Sequence, residues 1–236
     1  MSAAKKIVKI EDSARYLSPK VRRVQTRSPR AKITPFAHVT IEMQFGKEWI
    51  PVKLLNISTS GVGFAPTKKT ADFFEAGELF KARLKVKGKD KEIKTKILIQ
   101  QVDKDYIGSA FIDYEPLLPV TIAHYFDVEL SALEVIKIKA SQLDHPKSGK
   151  NFAFRGKDQC SLDYQALDNG KVTQFKIGIF GNVIEWHQGA KSAIILTEGS
   201  PDEHLKRLFM KFILNIQNLD DQHASQMTEL VQTARV

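Results

Sequence analysis

A single cysteine, Cys160, stands in 236 residues, so no intrachain disulfide can form and a cysteine-rich zinc site is excluded. Long hydrophobic runs are missing as well. Apolar stretches such as Ser192–Thr197 fall far short of the ~20 residues that span a bilayer. Met1 to Lys9 carries charge but no apolar core, so it does not read as a secretory signal. These absences predict a cytoplasmic protein in a reducing compartment, without a transmembrane segment. Catalytic patterns are absent too. Six histidines (His38, His124, His145, His187, His204, His223) are scattered without metal-ligand spacing. No phosphate-binding Walker loop or nucleophile elbow occurs, and Gly61-Val62-Gly63 lacks the third glycine of a dinucleotide site. The expectation is a protein that is not an enzyme and holds neither metal nor resident cofactor.

What the chain does have is ordinary globular composition, 42% apolar and 27% charged, and enough length for two domains. Its net charge of +9 is unevenly placed: residues 1–32 hold ten of the 36 Lys and Arg but only two of the 27 acids. Pro19 and Pro29 sit among the arginines, and no apolar period is sustained. Residues 1–32 therefore read as a flexible basic arm that attracts phosphate.

From Ala37 onward the pattern alternates. His38–Gln44 and Glu48–Asn56 flank a tight turn, and Pro51 marks an edge or bulge position in the second strand. Val62–Ala65, Leu79–Val86, Glu92–Gln101 and Tyr106–Ile112 follow as further short strands. Six strands with no helix between them predict a small antiparallel barrel or sandwich. After Pro116 a helix is expected to about Ala140, with Ile122, Phe126, Leu130 and Leu133 on one face.

Asp144–Lys150 reads as a linker, giving a domain of residues 33–143 and a second of 151–236. In the second, Ser161–Leu167 and Val172–Ile179 flank Asn169-Gly170, which predicts a type I′ hairpin turn. Val183–Trp186 and Ser192–Thr197 are expected strands. Ser200-Pro201-Asp202-Glu203 has the form of a helix start. Leu205, Leu208, Phe209, Phe212, Ile213, Ile216 and Leu219 then line one face of a long amphipathic helix, which either continues past Asp220-Asp221 or breaks there. The fold class is thus mainly β with α: a six-stranded barrel with a helix, then a smaller α+β domain.

Two motifs carry chemistry. Asn56-Ile57-Ser58-Thr59-Ser60-Gly61 matches (Asp/Asn)-x-Ser-x-x-Gly, and Arg23-Val24-Gln25-Thr26-Arg27 matches Arg-x-x-x-Arg upstream of it. Val62-Gly63-Phe64 and Tyr106–Tyr114 continue the pattern. Over residues 20–140 the chain resembles the PilZ family of bacterial cyclic di-GMP receptors. The resemblance implies a six-stranded barrel that binds this second messenger on its outer surface. By it, Arg23 and Arg27 clamp guanine and phosphate, with Arg22 and Arg30 competing for register. Asn56 and Ser58 meet the other base edge, and Gly61 admits the ligand and tolerates a positive φ. The residue chemistry is suitable, since arginine donates in parallel to guanine O6 and N7 and meets phosphate with charge assistance.

The implied function is a receptor and adaptor that passes ligand occupancy to a protein partner, or to a second copy, through residues 151–236. The alternative is a PilZ-like interaction scaffold that binds no nucleotide. A nucleic-acid-binding arm is the third reading. It has little support, because Tyr16 is the arm's only aromatic and no stacking platform accompanies the arginines.

Overall fold

The computed structural model describes residues 28–37, 39–67, 70, 73–86, 92–143, 149–197 and 202–234. Arg22, Arg23 and Arg27 lie outside these.

Seven strands form the first sheet: β1 (Ala31–Lys32), β2 (Val39–Phe45), β3 (Glu48–Ser58), β4 (Gly61–Ala65), β5 (Leu79–Val86), β6 (Ile93–Asp103) and β7 (Tyr106–Ile112). The order is β1-β3-β2-β5-β6-β7-β4, and β4 also pairs with β3, so β2 to β7 close a six-stranded antiparallel barrel with β1 added on β3. Alternation does the work: Ile41, Met43, Leu84, Ile97 and Ile99 point inward and their neighbours face out. β3 is long enough to serve three partners. It pairs with β2 through Val52, with β4 from Lys53, and with β1 at Asn56 and Ile57. Pro51 lies where β3 has β2 on one side only, the edge position its missing N–H requires. The irregularity in β3 comes later, between Leu54 and Asn56.

Residues 28–32 are not the free end of an arm. Ala31 is fully buried, and β1 is held in the sheet by its pairing with β3.

The expected single helix after Pro116 is two, α1 (Leu117–Tyr125) and α2 (Asp127–Glu134), divided at Phe126. The division has a packing reason. Leu118, Ile122 and Phe126 join the barrel core, whereas Val128, Ala132 and Val135 join the core of the second unit. Leu130 of α2 still packs against the barrel, so α2 faces both cores, and the first fully buried residue of the second core, Val128, comes earlier than the linker at residue 144.

The second sheet has order β13-β12-β11-β10-β9-β8, wholly antiparallel. Its strands are β8 (Ile136–Lys137), β9 (Lys150–Arg155), β10 (Ser161–Ala166), β11 (Val172–Ile179), β12 (Asn182–His187) and β13 (Ile194–Leu196). The β10–β11 turn is not type I′. Gly170 has φ +79° while Asn169 stays out of the left-handed region, and Leu167 N–H donates to the Lys171 carbonyl across a longer connection. The amphipathic C-terminal stretch is α3 (Glu203–Asn215) and α4 (Asp221–Gln232). Asp202, not Ser200, caps α3 by accepting from Leu205 N–H, and Asp220 caps α4 by accepting from Gln222 and His223. Asn218, at φ +61°, turns the chain between them. The apolar face of α3, with Phe209, Phe212 and Ile213, is buried against its own sheet. No helix among the described residues is long and apolar enough to cross a membrane.

Candidate functional site

Asn56-Ile57-Ser58 ends β3, Thr59-Ser60 makes a two-residue turn, and Gly61 opens β4, so the motif is a hairpin on the barrel wall. Ser58 is fully buried. Its hydroxyl donates to the Gly61 carbonyl (3.3 Å) and accepts from Ser60 N–H (3.3 Å). The serine thus holds the turn closed from inside. Gly61 is needed for close approach rather than for a positive φ. A Cβ there would lie 2.2 Å from the Ser109 carbonyl oxygen of β7. Phe111 N–H donates to the Ser60 carbonyl (2.9 Å) and ties the same turn to β7.

On the outer wall, Gly63 of β4 pairs with Gly108 of β7. Tyr106 lies across the space left by the two glycines, for a Cβ on Gly63 would meet its ring and hydroxyl at 2.6 Å and the Asn56 amide oxygen at 2.5 Å. Glycine at these positions lets an aromatic ring lie flat on the strands.

Arg30 reaches this place from β1's approach. Its Nη1 donates to the Tyr106 hydroxyl (2.8 Å) and, more weakly, to Asn56 Oδ1 (3.4 Å), while Nη2 donates to the Ser109 carbonyl (2.9 Å). All three acceptors are neutral. Among the described residues no carboxylate lies within ion-pair distance of Arg30, so its charge is geometrically held but not neutralised. Such a group attracts an anion more strongly than a salt-bridged one. Of the sequence-predicted residues, the structure brings Arg30, Asn56, Ser58 and Gly61 to one patch. Tyr106 and Ser109 belong to it too and were not foreseen. The contact of Tyr106 with Gly63 of the neighbouring strand is a long-range fact, although Tyr106-Ile107-Gly108 and Val62-Gly63 are its sequence trace.

Two residues beyond Arg30, Lys32 N–H donates to Asn215 Oδ1 (2.7 Å), and Asn215 Nδ2 donates to the Lys211 carbonyl (3.0 Å) at the end of α3. Lys32 is also the register partner of Asn56. The motif hairpin and the second unit therefore hold the same short strand from two sides. Close by, Lys211 Nζ lies 3.1 Å from Glu129 of α2, whose carboxylate is fully buried without a well-aligned hydrogen bond. Burial pushes the Glu129 carboxyl above its ordinary range, against the attraction of Lys211.

No family model matches the chain, and no curated protein matches its sequence. Among solved structures it is similar to the Borreliella burgdorferi PlzA protein in complex with c-di-GMP, at 14% identity over 80% of this chain and 95% of that one, with a TM-score of 0.32. It is also similar to the uncharacterized Legionella protein Lpg0364, at 9% identity over 42% of this chain and 90% of that one, with a TM-score of 0.30. At those identities and scores neither likeness transfers a ligand to this chain.

Proposed function

We propose that the protein is a cyclic di-GMP receptor whose ligand lies on the outer barrel wall between the Asn56–Gly61 hairpin and the arginines that precede Arg30. The observation that carries this reading is the Arg30 guanidinium, paired with no described carboxylate and seated on Asn56, Tyr106 and Ser109. It anchors the end of the arginine-rich segment to the first residue of the hairpin motif. Arg27 is three residues upstream, which limits it to about 11 Å of extended chain from Arg30. In this reading Arg23 and Arg27 supply the guanine and phosphate contacts and Asn56 meets a base edge. Ser58 and Gly61 keep the turn in the shape that presents it. The strand β1, shared with Asn215, is the route by which occupancy reaches the second unit and, through it, a protein partner or a second copy.

One observation favours the scaffold reading. The Ser58 hydroxyl and three of Arg30's hydrogen bonds are already satisfied inside the protein. Calorimetric titration with cyclic di-GMP, beside Arg23→Ala/Arg27→Ala and a GTP control, separates the two. Loss of two arginine–guanine contacts is expected to cost ~2–6 kcal/mol, about 30-fold or more in affinity. No heat and no thermal shift with the native protein supports the scaffold. Steeply salt-dependent binding of any polyanion, without preference for guanine dinucleotides, supports the nucleic-acid reading.

A further inference from the structure

Outward-facing positions on a barrel wall that meets water are ordinarily polar. Beside the motif hairpin this wall departs from that pattern. Leu98 of β6 and Ala110 of β7 are register partners, and Ile112 follows two residues on. All three are half-buried on the outer side, while Ile97, Ile99 and Phe111 between them fill the core. They line a cleft of about 650 Å³ together with Tyr114, Arg30, Ser60, Ser28 and Gln100. An apolar strip set among polar groups can seat a flat ring and orient its polar edge.

Tyr114 is placed there by the backbone. Asp113, at φ +48°, turns the chain out of β7, a conformation that aspartate tolerates better than most residues. The Tyr114 ring then meets Phe111 edge-on (centroids 6.4 Å apart, 75° between planes) and remains 40% exposed. One part of the ring is fixed and the rest is open for a planar group to stack. Arg30 lines the same cleft with its Nε–H and one Nη2 hydrogen lacking an acceptor among the described residues.

We infer that this cleft is the base subsite. One purine of the ligand lies on Leu98, Ala110 and Ile112 with its face against Tyr114, and its polar edge turns toward Arg30 and Ser60. The inference rests on the proposed cyclic di-GMP reading and adds the residues that the sequence motifs do not name. The cleft has room for a base, Tyr114 gives it a face to stack on, and stacking is indifferent to phosphate contacts made elsewhere.

The test is calorimetry with cyclic di-GMP on the full chain carrying Tyr114→Ala, Tyr114→Phe or Leu98→Asp, each first checked for an unchanged melting profile. Tyr114→Ala and Leu98→Asp are expected to weaken binding about tenfold or more, and Tyr114→Phe to stay within about threefold. Native affinity in Tyr114→Ala, with binding still lost in Arg23→Ala/Arg27→Ala, overturns the subsite and leaves the receptor reading standing. A Tyr114→Phe variant as weak as Tyr114→Ala overturns the stacking role. If the native chain binds no cyclic di-GMP, the receptor reading fails. The cleft is then probed with GMP at millimolar concentration by NMR, where shifted Tyr114 ring signals keep the base subsite and unshifted ones overturn it.

Discussion

The two halves of this molecule solve the same problem in different ways. Both are antiparallel sheets with one apolar face to bury. The first closes on itself: β4 pairs with β3 and β7 at once, and α1 plugs the core with Leu118, Ile122 and Phe126. The second stays open and is covered by α2, α3 and α4. The outer wall of the barrel carries Arg30, which pairs with no described carboxylate, together with Tyr106 and the cleft floored by Leu98, Ala110 and Ile112. In the second unit the amphipathic helices are already engaged with their own sheet, so their apolar faces cannot also form the surface for a partner. The ligand site proposed above belongs to the closed half, and the open half supplies a body that the β1 strand can hold.

Breaking the lid of the open half is the largest test of this contrast. Phe212 is fully buried under α3, and Phe212→Ala is expected to cost ~3–5 kcal/mol. In urea unfolding the loss should appear in the Trp186 signal of a Trp49→Phe background, while the Trp49 signal of the barrel, read in a Trp186→Phe background, is unchanged. A uniform loss across both units would show that they fold as one.

In the barrel the sharpest break is Gly61→Ala. Its new methyl would meet a backbone carbonyl that cannot swing away, so a loss of ~1–3 kcal/mol is expected by thermal melting, whether or not any ligand binds. A neutral outcome would mean that β4 and β7 can part without harm.

Asn215→Ala probes the join. It leaves the Lys32 N–H without its acceptor, and a cost of about 1 kcal/mol is expected. Hydrogen exchange should quicken at Lys32, with the barrel strands β5 and β6 unchanged.

The smallest effect is a pH dependence at Glu129. Because burial raises its carboxyl pKa, the folded protein holds the proton more tightly than the unfolded chain. The contribution is full below the ordinary 4.5 and is lost as pH rises through the raised value. Native protein should lose stability across that window relative to Glu129→Gln, which has no proton to give up there. Parallel profiles would show that Lys211 compensates the charge fully.

Much of the architecture was legible because its causes are local. Period-two alternation located β2, β3, β5, β6 and β7, and the run from Leu205 to Ile213 announced α3, whereas Ile216 and Leu219, expected on the same helix, lie past its end at Asn215. The strands β8 and β9 escaped notice. The first is two residues long, and the second, with Phe152 and Phe154 in alternation, sits against a polar linker that masked it. The serine at 200 was expected to cap the helix and Asp220 only to mark a possible break, whereas Asp202 and Asp220 are the caps, because which candidate caps a helix depends on where the chain must turn.

The sequence by itself determined the alternation that makes the barrel, the turn residues of the Asn56–Gly61 hairpin and the concentration of positive charge before residue 33. Each follows from interactions between residues a few positions apart. Only the tertiary structure decided that the fully buried apolar residues of α1 and α2 enter different cores, that Gly61 makes room for a neighbouring strand, and that Arg30 rests on Tyr106 and Ser109, 76 and 79 residues away. These depend on which strands closure brings side by side, and that is a property of the whole sheet rather than of any segment within it.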